Sequence, residues 1–146
     1  MNVIRSAAVV AILAWAVDAN GATQEFAGEC GPSRFVVTVD SASVLERVFT
    51  LFKVVGQRRK ALYTYDGGVL HVACLKSRSG KKYVVFQAYC GGSGCPEYDY
   101  GVVDPTTGKL LVEPTGTNIP SEGRVSQLLG YQVPHLFKHA EAFCCE

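Results

Sequence analysis

Short runs in which apolar and β-branched residues crowd together, separated by Gly, Pro, Asp and Ser, fill the chain from residue 34 to residue 113. Arg34 to Asp40 (RFVVTVD) is β-branched and aromatic and predicts a strand. Residues 43–55 carry two signals. Ser43 and Glu46 match a capping box, with Val44, Val48, Leu51 and Val55 at helical spacing and Gly56 as a stop. The Val and Phe content of the second half favours a strand over Phe49 to Val55. Ala61 to Tyr65, the Asp66-Gly67-Gly68 turn and Val69 to Leu75 read as a hairpin. Tyr83 to Tyr89, Tyr98 to Asp104 and Lys109 to Glu113 are further strands. Polar turns at Lys76 to Lys82 and Pro105 to Gly108 separate them. Sequential antiparallel strands usually lie side by side, so the pattern predicts one meander.

The period changes after Pro114. Ser121 to Gly130 reads as a short helix with Val125, Leu128 and Leu129 on its apolar stripe and Gly130 as its stop. Pro134 to Phe143 is a second helix candidate, with proline in its first turn and Leu136, Phe137, Ala140 and Phe143 on one face. Residues 23–33 are polar and read as a loop pinned by Cys30. The expected fold class is α+β: an antiparallel β meander with one or two C-terminal helices, braced by disulfides.

The N-terminus sets the chemistry available to the cysteines. Arg5 precedes an unbroken apolar run, Ala7 to Val17, and small residues follow at Ala19, Gly21 and Ala22. This three-part layout is that of a secretory signal peptide, cut after Ala19 or Ala22. The run is shorter than the roughly 20 residues that span a bilayer. The reading is therefore a signal peptide over 1–22, one secreted domain over 23–146, and a periplasmic or secreted location without membrane insertion. Glu29 before Cys30 excludes the small residue that a lipid-modified cysteine requires. Lys and Arg total 14 against 13 Asp and Glu, for a formal charge of +1, and nothing in this balance calls for nucleic acid.

Six cysteines, Cys30, Cys74, Cys90, Cys95, Cys144 and Cys145, form an even set. In an oxidising compartment that reads as disulfides. The expected pairing is Cys90 with Cys95 across four small residues, leaving Cys30 and Cys74 to the two C-terminal thiols. Long loops closed in this way stabilise most by chain entropy.

No catalytic residue, metal or cofactor is assigned. Ser93 lacks the nucleophile-elbow context and a positioned base. His135 and His139 are four apart and would share a face of the second helix, but the Glu of the zincin motif is missing. The most distinctive segment is Gly91-Gly92-Ser93-Gly94 between Cys90 and Cys95. A cross-linked tip of that kind enters a narrow cleft at low ordering cost. Gly91, Gly92, Ser93 and Gly94, with Tyr98 and Tyr100 packing the rim, form the candidate partner-binding site. The turn at 76–82 is the alternative contact. Two basic clusters, Arg58-Arg59-Lys60 and Lys76 to Lys82, stand ready to steer an anionic partner.

The leader, the cysteine-braced β-rich domain and the Ser/Gly loop resemble those of small exported proteins with which bacteria neutralise cell-wall hydrolases. These are the periplasmic lysozyme inhibitors and the immunity proteins against wall-degrading toxins. The stretch Arg78-Ser79-Gly80-Lys81-Lys82-Tyr83 is similar to the Ser-Gly…Tyr loop of one lysozyme-inhibitor group. The framework of Cys90, Cys95 and the doubled C-terminal cysteine departs from that group. The resemblance implies a protein that inhibits a peptidoglycan hydrolase or secreted toxin by occluding its cleft, with an exported or incoming hydrolase as partner. The alternatives are a non-catalytic structural or assembly component of the envelope and, third, a small exported metal- or serine-dependent hydrolase.

Overall fold

The computed structural model describes residues 23–43, 46–89, 99–115, 121–137, 139 and 142–144. Residues 1–22, expected to be a signal peptide, lie outside them, as do Cys90, Gly91, Gly92, Ser93, Gly94, Cys95, Tyr98 and Cys145.

The strand-forming runs do pair, but as two antiparallel sheets rather than one meander. The first sheet is β1 (Thr23–Cys30), β2 (Ser33–Ser43), β3 (Glu46–Val55) and β4 (Arg58–Asp66), in that order. The second runs β8 (Leu110–Val112), β7 (Asp99–Val103), β6 (Lys82–Tyr89), β5 (Val69–Lys76) and β9 (Ala142–Cys144). One helix, α1 (Glu122–Leu129), is described.

Residues 66–68 are therefore not a hairpin turn, because β4 and β5 belong to different sheets. The chain crosses between sheets there. Local turn chemistry is the same for a hairpin and for a corner. What separates them is burial. Strand β2 alternates, and its inward Phe35, Val37 and Val39 need a second apolar layer. They find it in Leu70, Val72, Val84 and Phe86 of the second sheet. Each such side chain, fully buried, contributes roughly 1.5–3 kcal/mol.

Strands β5 and β6 are buried on both faces. Their second face carries Ala73, Leu75, Tyr83 and Val85 against Val125 and Leu129 of α1 and Val133 and Leu136 beyond it. This three-layer arrangement explains the near-continuous apolar runs LHVACL and YVVFQAY.

Two other expectations are corrected. Residues 23–30 form β1, hydrogen-bonded along its whole length to β2, and not a loop. Of the two signals in residues 43–55 the strand is borne out, as β3 from Glu46 onward, and the helical spacing there is incidental. Pro134 to Phe143 is not a helix. Its described parts are irregular through Phe137 and then form β9 against β5. His135 and His139 therefore do not share a helical face.

An irregular segment can cover a sheet only if its backbone is satisfied. Side chains do this here. Gln87, buried mid-strand, accepts the Leu136 N–H at 2.8 Å. Ser126 Oγ accepts the Val133 N–H at 2.9 Å, and Tyr100 donates its hydroxyl to the Pro134 carbonyl at 3.4 Å. The predicted helix at 121–130 is confirmed, ending at Gly130 in the left-handed conformation (φ 77°). Ser121 does not cap it. Its hydroxyl, fully buried, lies 2.8 Å from Asp99 Oδ1 and accepts the Tyr100 N–H at 2.6 Å, tying the helix start to β7.

Candidate functional site: the basic end of the sandwich

The disulfide between Cys30 and Cys74 fixes how the sheets meet. The Cα atoms are 5.3 Å apart and the bond joins the end of β1 to β5. This corrects the expectation that both cysteines reach the C-terminal pair. Once the second sheet folds over the first, the two strands converge at one end and leave no need for the tail. Cys144 is also disulfide-bonded and sits in the inter-sheet core. Among the described residues no cysteine is free.

The same end gathers the turns at 31–32, 56–57, 77–81 and 104–109. Ser33 Oγ donates to the Pro105 carbonyl at 2.7 Å, and Lys53 Nζ donates to the Thr106 carbonyl. Those two contacts bind a hairpin of each sheet to the other. Two basic clusters that are far apart in sequence therefore become one surface. The first sheet supplies Arg34, Lys53, Arg58, Arg59 and Lys60. The second supplies Lys76, Arg78, Lys81, Lys82 and Lys109. These are ten of the chain's 14 Lys and Arg. The opposite end of the strands carries Asp40, Glu46, Asp66 and Asp99.

Among the described residues two of these cations form ion pairs, and Glu29 lies across the strand pair from Arg34. Lys81 pairs with Asp104 at 2.9 Å. That hydrogen bond, with the backbone N–H groups of Thr107 and Thr106, holds the Asp104 carboxyl below its usual range. Arg59 makes a two-pronged contact with Glu25 at 2.5 and 3.1 Å. The two residues lie on opposite edge strands of the first sheet, so the pair crosses the outward face above Val36 and Thr38. Both are buried despite pointing away from the core. The hydrogen bond to Arg59 lowers the Glu25 pKa.

The 77–81 turn is tightly preorganised. Ser77 N–H donates to the Lys81 carbonyl at 2.8 Å, and Gly80 N–H to the Ser77 carbonyl at 2.9 Å. Ser77 and Ser79 hydroxyls lie 2.9 Å apart, and Lys81 N–H donates to Ser77 Oγ at 3.1 Å. Arg78 N–H donates to the carbonyl of Leu129, anchoring the turn to the last turn of α1. Gly80 has φ 89°, a conformation that side chains disfavour. Arg78, Ser79, Gly80 and Lys81 are exposed.

Of the residues expected to contact a partner, Tyr100 is corrected. It is only 1% exposed, packed beneath α1, and unavailable to a rim. Gly91, Gly92, Ser93, Gly94 and Tyr98 fall outside the described residues. Reading the sequence alone missed Arg34, Lys53 and Lys109 as parts of the basic end. Each is a lone cation at a strand end, and only the stacking of the sheets brings them together. No group of three metal-ligating side chains occurs among the described residues, and no described helix is long and apolar enough to cross a membrane. No protein-family model, no curated protein and no solved structure matches this chain.

Proposed function

We propose that the protein is an exported binding protein that inhibits a peptidoglycan hydrolase or a wall-degrading toxin by placing the Ser77–Lys81 turn in its cleft. The observation that carries this reading is the turn itself. It is small at the tip, rigid by five internal or anchoring hydrogen bonds, and flanked by cations. Glycoside hydrolases hold two carboxyl groups across the scissile bond. A narrow, positively charged, preordered tip complements such a cleft and loses little entropy on entering it. Occlusion, not chemistry, is the mechanism.

The test is clearance of purified cell walls by a panel of lysozyme-type hydrolases, with and without the mature oxidised protein. Inhibition of at least one enzyme is expected, together with its loss in Ser79→Trp, at an exposed position, with circular dichroism of the variant checking that the fold is kept. Absence of inhibition across the panel, or full inhibition by Ser79→Trp, refutes the reading.

A further inference from the structure

The basic end is broader than an inhibitory turn requires. Its cations are spread over the ends of both sheets, which stack about 10 Å apart, and across neighbouring strands about 4.8 Å apart. Such a layout is an area, not a stripe or a pocket, and a flat anionic surface matches it better than a single linear polyanion. At its tip Val55 is 56% exposed, next to the Gly56–Gln57 turn and paired in register with Arg58. An exposed aliphatic side chain beside a cation suits the boundary between lipid headgroups and acyl chains. Four carboxylates against Arg47 at the far end, and ten cations against Glu29 and Asp104 at this one, leave a charge dipole along the strands, which orients the molecule with this end toward negative charge. The Cys30–Cys74 bond holds the two halves of the surface in register.

We propose that this end docks the protein, standing upright, on a bilayer surface rich in anionic phospholipid. The recognised chemistry is the phosphate of the headgroup array. Val55 reaches the headgroup level, and no described helix is long and apolar enough to cross the bilayer. The 77–81 turn belongs to the same face, so enzyme contact and surface contact compete. The surface reading does not depend on the enzyme reading, and its test uses the protein alone.

The experiment is flotation of the oxidised mature protein with vesicles of about one third phosphatidylglycerol in phosphatidylcholine, against vesicles of phosphatidylcholine alone. Binding is expected only to the anionic vesicles and only at low salt. Arg58→Gln/Lys60→Gln removes two exposed, unpaired cations of this end and is expected to weaken binding roughly thirtyfold. Val55→Ser is expected to weaken it a few fold. Arg47→Gln/Arg124→Gln removes the same charge elsewhere and is expected to change it less than twofold. Equal losses from the two double variants would reduce the effect to net charge and overturn the proposal. Failure to float with anionic vesicles, or binding to soluble polyphosphate without binding to vesicles, would overturn it as well. Circular dichroism of each variant separates loss of docking from loss of fold.

Discussion

Replacing both Cys30 and Cys74 by alanine tests the claim that this bond clamps the two sheets at the basic end. The cysteines are 44 positions apart, so the bond closes a loop holding β2, β3 and β4 entire. Loop-closure entropy for that length corresponds to about 4 kcal/mol of denatured-state destabilisation. A domain of this size is held by roughly 5–15 kcal/mol. The variant should therefore remain folded but lose about a quarter or more of its stability. The assay is equilibrium urea unfolding followed by fluorescence. At a slope of about 1.5 kcal/mol/M the midpoint falls by roughly 2–3 M. The slope itself should rise, because the uncrosslinked chain exposes more surface on unfolding. The double replacement matters, since a single one leaves a thiol free to exchange with the other bond, in which Cys144 takes part. Amide exchange at Ser77 and Lys81 should quicken in the same variant. A loss below about 1 kcal/mol with an unchanged slope would mean that the denatured chain already keeps the two sheets close, and the clamp reasoning would be wrong.

Three further outcomes follow from packing and electrostatics. A methyl group at Gly101 would lie 2.0 Å from the buried Phe86 ring, which stacks on Tyr63 at 4.7 Å, so Gly101→Ala should cost roughly 3 kcal/mol by overpacking in the same unfolding assay. Ser121→Ala removes the hydroxyl that bonds the buried Tyr100 N–H and the Asp99 carboxylate and should cost about 2 kcal/mol, while Ser121→Thr should recover part of it. Burial, and secondarily the Asp99 carboxylate, push the Tyr63 phenol up to about 12. Because the folded pKa is raised, its contribution to stability is full below pH 10 and is lost as pH climbs toward 12. Ultraviolet titration should show late tyrosinate formation that Tyr63→Phe reduces but does not abolish, because burial also raises the Tyr65 phenol.

How much was legible varied with the range of the interaction that decided each feature. Turn chemistry and β-branched runs marked the strands from β2 to β8, and Gly130 marked the end of α1, because those signals act within a few residues. Strand β1 was hidden. TQEFAGEC is polar because it is an edge strand, exposed over most of its length, so it lacks the apolar alternation that identifies strands with a buried face. Residues 134–143 misled in the opposite way. Their apolar spacing suits a helix, yet Gln87 and Tyr100 reach from the sheet and hold that backbone in an irregular path.

The basic clusters were visible as sequence, but not as one surface. Asp66-Gly67-Gly68 says that the chain turns. It does not say whether the next strand joins the same sheet or starts another, because both outcomes use the same local geometry. That choice is made by the area that can be buried, which depends on Phe35, Val37 and Leu51 meeting Leu70, Val72 and Phe86 across the sandwich. The sequence by itself determined roughly where β2 to β8 run, though not β1 or β9, and that an oxidised, β-rich domain results if the chain is exported. Only the tertiary structure decided which cysteine meets Cys30, that Tyr100 is interior, and that ten cations share one end. Each of these depends on the long-range stacking of two sheets, and no window of neighbouring residues encodes it.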